Sequence, residues 1–131
     1  MTYTFCGTPE YLAPEVVLGT GHNQAVDWWS LGLMIYEMLS GINPIKLKNK
    51  NKFEKLQMIT ERDIEMRAEF SDEASSLLRG LLKRQPQERL GSRSVEDIKR
   101  HIWFDGVNWD NVYQRQVQAP FVPKIEGDLD L

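Results

Sequence analysis

Hydroxyls, a thiol and carboxylates crowd the opening of this chain: Thr4, Cys6, Thr8, Glu10 and Glu15, interleaved with Gly7, Pro9 and Pro14. Cys6 is the single cysteine. It excludes an internal disulfide and a cysteine-rich metal site, which suits a reducing compartment, and it reads as a plain buried thiol rather than a redox centre. The nearest approach to a phosphate cradle is Gly19-Thr20-Gly21. No third glycine follows at the required spacing, and the stretch lies in a loop before the wrong helix. The lysine-asparagine run from Lys46 to Lys52 could attract acidic partners, but its composition reads as a solvated insert.

These side chains need elements to position them, and the pattern for those is helical. Val26 to Leu39 is apolar on every side of a helical wheel, with Gly41 placed to end it, which marks a buried central helix. Phe53, Leu56 and Ile59 recur at helical spacing. Ser71 can cap a helix that opens with Asp72 and Glu73 and carries Ala74, Leu77, Leu78, Leu81 and Leu82 on one face. Pro86 bars its continuation. Ser94 with Asp97 predicts a helix through about Arg100, and Asp110 is placed to cap a last short one. Residues 2–24 read as an ordered loop, and residues from Ala119 onward as an extended tail. No segment reads as a strand, so the expected class is mainly α.

With 131 residues, 41% hydrophobic and 27% charged, the chain has the composition of one soluble globular domain. Its formal charge of −3 argues against a dedicated nucleic-acid binder. Its longest apolar stretch is shorter than the ~20 residues that span a bilayer. With no secretory leader at its start, the expectation is a cytoplasmic or nuclear protein.

Order and spacing then point to a family. Thr4-Phe5-Cys6-Gly7-Thr8-Pro9-Glu10-Tyr11-Leu12-Ala13-Pro14-Glu15 closes with Ala-Pro-Glu. Val26-Asp27-Trp28-Trp29-Ser30-Leu31-Gly32, Ile35-Tyr36-Glu37-Met38, Arg89-Leu90-Gly91, His101 with Trp103-Phe104, and Pro120-Phe121-Val122-Pro123 follow in turn. From about Thr2 to Lys124 the chain resembles the AGC group of serine/threonine protein kinases. The resemblance implies the lower half of a kinase large lobe, a buried central helix surrounded by short helices, without the nucleotide-binding small lobe. It divides the chain into the end of the activation segment and substrate loop (1–24), a helical subdomain (25–104) and the start of the AGC tail (105–131).

The same resemblance assigns roles. Thr4 matches the activation-segment phosphorylation site, where a phosphate would add about −1.5 to −2 charges. Phe5, Pro9 and Leu12 match the apolar pocket for the residue after the phosphorylated one, and Gly7 and Thr8 belong to the same substrate loop. Glu10 and Glu37 match acids that accept substrate arginines, a pairing that can be bidentate. Glu15 and Arg89 match an ion pair clamping the segment to the lower helices. Asp27 matches a residue that holds the catalytic loop; here it should cap its own helix or face water. Trp29, like Trp28, reads as core.

Phosphoryl transfer further needs a lysine–glutamate pair, an aspartate base and a metal-binding aspartate. Neither His-Arg-Asp nor Asp-Phe-Gly occurs in the sequence. The expectation is a kinase fragment, catalytically inert alone and without a cofactor of its own, whose parent uses ATP and magnesium on basic Ser/Thr substrates. Its partners would then be such substrates, an upstream activating kinase or the missing kinase half. The alternative is a pseudokinase-like binding module or decoy. Apolar surface is expected to lie open around Trp29, Leu33 and Tyr36, with marginal stability or self-association as the result.

Overall fold

The apolar run folds as the central helix, here α2 (Ala25–Ser40), in a computed structural model that describes residues 9–21, 23–46 and 51–120. Gly41 ends it in a left-handed conformation (φ 75°), its amide donating to the Glu37 carbonyl. At the other end Asn23 Oδ1 accepts from the Ala25 amide at 2.8 Å. That service leaves Asp27 exposed in the first turn, on the water-facing side.

The helix with the regular leucine face, α4 (Asp72–Leu81), lies against α2. Ser71 Oγ accepts from the Ala74 amide at 3.1 Å and starts it, with Asp72 and Glu73 in the first turn. Leu77, Leu78 and Leu81 are wholly buried against Trp29 and Leu33. Each contributes about 1.5–3 kcal/mol over an exposed side chain. The approach is close because residue 32 is glycine. A Cβ there would stand 2.8 Å from Leu82 Cδ2 and 3.0 Å from Leu81 Cβ.

Trp29, Leu33 and Tyr36 are at most 2% exposed, which corrects the expected apolar opening around them. The leucines of α4 cover the first two, and Phe70 stands edge-on to Tyr36 with ring centroids 5.0 Å apart. Exposure falls instead on Met34 and Met38, at 51% and 69%.

Three further corrections come from local geometry. Residues 2–24 are not loop throughout, because Pro14–Leu18 forms α1. Proline in its first turn costs no hydrogen bond, and Gly19 closes it at φ 67°. The lysine run is not wholly an insert either, since Asn51 caps α3 (Lys52–Glu61) by accepting from the Glu54 amide at 2.8 Å. Only Ile59 of its apolar triplet is fully buried, whereas Phe53 is exposed. Finally, Asn108 rather than Asp110 caps the last helix, because its Oδ1 accepts from the Asn111 amide.

The remaining elements finish the base. Ser94 caps α5 (Val95–Lys99), and α6 (Trp109–Tyr113) is tied back through Trp109 Nε1, which donates to the Lys99 carbonyl. Short 3-10 turns occupy Pro9–Tyr11, Pro86–Glu88 and Ile102–Phe104. No strand occurs among the described residues, and none of their helices is long and apolar enough to cross a membrane.

Two outcomes are expected. Gly91 has φ 95°, and a Cβ there would meet Ile98 Cδ1 at 2.6 Å and Trp28 Cδ1 at 2.7 Å. Gly91→Ala should therefore cost about 3 kcal/mol in urea unfolding, combining overpacking with left-handed strain. The second concerns Tyr36, whose hydroxyl donates to the Glu65 carbonyl at 3.0 Å. Burial pushes its pKa above the ordinary 10.0, against a lowering by nearby Arg67. The folded state thus holds the phenol proton longer than the unfolded chain. The stability this provides is complete below pH 10.0 and lost as pH rises through the folded value. Tyr36→Phe should flatten that alkaline fall in a pH series of thermal melts.

Candidate functional site

Arg89 is the most heavily engaged side chain described, and it is 1% exposed. Its Nη1 donates to Glu15 Oε2 at 2.7 Å and its Nη2 to Glu15 Oε1 at 3.0 Å, a two-pronged pair across 74 positions of sequence. The other N–H groups reach carbonyls: Nη1 to Ala25 at 2.8 Å, Nη2 to Arg84 at 3.2 Å, and Nε to Lys83 at 2.9 Å. Every guanidinium donor is thus used. The charge also stands 5.2 Å from the Trp29 ring centroid.

This arrangement ties α1, the start of α2 and the segment after α4 to one point. The Leu90 amide donating to the Gly80 carbonyl, and Trp28 Nε1 donating to the Gly91 carbonyl, hold that segment from both sides. Trp29 Nε1, buried beneath, has no hydrogen-bond partner among the described residues.

Above the clamp lies the loop that carries the acids. The turn at Pro9–Tyr11 places Glu10 inward, 4% exposed, and Tyr11 outward. Tyr11 Oη donates to Glu37 Oε1 at 3.4 Å, so the loop meets the half-buried Glu37 on α2. Lys55 of α3 donates to Glu10 Oε1 at 2.5 Å. Asn43 Nδ2 donates to the Glu10 carbonyl at 3.4 Å. Leu12 is half-buried and packs against the core. The backbone of Pro9 begins the turn; Thr4, Phe5, Gly7 and Thr8 lie outside the described residues.

Tyr11, Asn43 and Lys55 are the neighbours that sequence reasoning missed. Asn43 meets the Glu10 carbonyl across 33 positions of sequence. The Lys55 contact joins residues 45 positions apart, and no local pattern announces it.

The described residues offer no seat that fits magnesium and a triphosphate. Gly19 is spent as a helix terminus, and Gly21 is exposed at φ 151° with open space around it. No group of three or more His, Cys, Asp or Glu is placed to hold a metal among the described residues. A cleft of about 480 Å³ opens between Tyr36, Met58 and the segment from Arg62 to Glu69, but neither Glu10 nor Glu37 lines it. At its edge Arg67 donates to Glu69, and that bond holds the Glu69 carboxyl below its ordinary 4.5.

A helical base, a clamped Ala-Pro-Glu segment and an acid-bearing turn define the class: this chain belongs to the protein kinase domain family, whose model matches residues 1–104. Within it, the chain belongs to the AGC group of serine/threonine kinases. It is 51% identical over 121 residues to human ribosomal protein S6 kinase alpha-6, a match covering 92% of this chain and 16% of that protein. It is 46% identical over 132 residues to the mouse cAMP-dependent protein kinase catalytic subunit PRKX (99% and 37%). It is 43% identical over 129 residues to serine/threonine-protein kinase gad8 of Schizosaccharomyces pombe (98% and 22%). The chain therefore spans well under half the length of these relatives.

Removing the clamp has a definite expected cost. Arg89→Met strands the Glu15 carboxylate and three carbonyls, and should lower stability by about 3–5 kcal/mol in denaturant titration. Adding Glu15→Leu should restore only part of this, since the carbonyls of Ala25, Lys83 and Arg84 stay unserved. Arg89→Lys should behave like methionine, because one ammonium cannot reach four separated groups.

Proposed function

We propose that this chain is the substrate-facing floor of a serine/threonine kinase whose whole protein transfers phosphate from ATP to Ser or Thr in basic sequence contexts. The observation that carries the reading is Glu37. It is a half-buried carboxylate held beside the Pro9–Tyr11 turn by the Tyr11 hydroxyl. A carboxylate so placed suits a guanidinium of an extended peptide. Residues 1–24 then serve as the end of the activation segment and substrate loop, with Thr4 as the residue an upstream kinase would phosphorylate. Residues 25–104 are the helical floor, and 105–131 begin the tail. A cytoplasmic location suits such an enzyme.

The sequence carries neither His-Arg-Asp nor Asp-Phe-Gly, and no metal-holding group lies among the described residues, which supports a chain that binds without catalysing on its own. A second reading, a non-catalytic module that docks basic peptides, is supported by the closed core around Trp29, Leu33 and Tyr36. Both readings share one measurement. The purified chain, given magnesium, labelled ATP and an arginine-rich peptide, should transfer no phosphate, yet should bind that peptide. Glu37→Gln should weaken the binding about tenfold in a fluorescence titration. Stoichiometric phosphopeptide would refute the inertness, and binding indifferent to Glu37 would refute the groove.

A further inference from the structure

Glu10 and Glu37 are both acids of the proposed groove, yet their surroundings differ. Glu10 is 4% exposed, and the Lys55 side chain that grips it only 19%, so the pair is largely desolvated. The backbone of Glu10 is fixed as well, by Asn43 Nδ2. Asn43 is itself held, its Oδ1 accepting from the Ile45 amide at 2.8 Å. Helix α3 packs on the Pro9–Tyr11 turn and on α1, so Lys55 reaches Glu10 from a supported position. Among the described residues Glu37, by contrast, holds only the long bond from the Tyr11 hydroxyl, and no lysine or arginine pairs with it.

We propose that Lys55 fills, from within the chain, the place on Glu10 that a substrate guanidinium would otherwise take. The groove then reads one basic residue, through Glu37, and not two. This rests on the groove being a site for basic peptides. An incoming arginine at Glu10 must displace an ammonium already stripped of most of its water and positioned by a folded helix. At Glu37 it displaces solvent and one weak neutral bond. Charge therefore counts at one subsite and is cancelled at the other. Lys55 is on this account a specificity residue that acts by occupying an acid rather than by touching the substrate.

The test uses the intact 131-residue chain and labelled peptides with one fixed arginine and a second arginine walked along the flanking positions. Fluorescence anisotropy gives the affinity ratio of each two-arginine peptide to its one-arginine parent. The wild type should show a ratio of about 2 or less at every position. Lys55→Met should raise it about tenfold at one position, and Glu10→Gln added to Lys55→Met should abolish the gain. Lys55→Gln gives the same readout with a polar side chain should the methionine variant aggregate. A ratio unchanged in both Lys55 variants, with binding still weakened by Glu37→Gln, overturns the inference and leaves the groove intact. No arginine-dependent binding in any variant overturns both.

Discussion

One guanidinium organises this molecule. Arg89 brings a carboxylate from α1, a carbonyl from the head of α2 and two adjacent carbonyls from after α4 to a single buried point. Taking charges out of water is costly, and such a pair adds little over apolar packing of equal volume. What it imposes is uniqueness. A planar fork with five donors accepts only an arrangement in which all its acceptors converge, and no lysine reproduces that. The Ala-Pro-Glu segment, the head of the central helix and the stretch after α4 are therefore positioned together or not at all.

The acid-bearing side depends on that constraint at one remove. Glu15 sits in the first turn of α1, directly after the loop that holds Glu10 and Leu12, so fixing Glu15 fixes where the loop ends. Below it, α2 and α4 meet as closely as Gly32 permits, giving the floor a rigid pairing rather than a loose bundle. The acids on the upper side are thus carried by rigid elements: Glu37 by α2, and Glu10 by a turn braced from α3. Kinase family membership and helical architecture agree with this layout.

Much of the scaffold was legible because its signals are local. The apolar wheel of α2 and the serine-capped leucine face of α4 each report on a few consecutive residues, and both helices lie where those patterns put them. The family was legible because its motifs are contiguous. What escaped was of two kinds. Five-residue α1 is too short for a period to register, although proline at its start and glycine at its end were present. The grip of Lys55 on Glu10 and of Asn43 on its carbonyl are tertiary facts, made by residues whose local sequence serves other purposes. The expected apolar opening at Trp29 failed similarly: a helix that is apolar all round says it is covered, not by what.

The 74-residue separation of Glu15 from Arg89 also has a meaning in time. A ribosome adds roughly 5–20 residues each second, so the acid is synthesised about 4–15 s before its counter-charge exists. In that interval Trp29 and Leu33 have emerged while Leu77, Leu78 and Leu81, their cover, are still untranslated. Until then Trp29 and Leu33 lack the α4 leucines that share their buried cluster in the finished fold. The late-closing Glu15–Arg89 pair is therefore also the contact that fixes the first described segment of the chain.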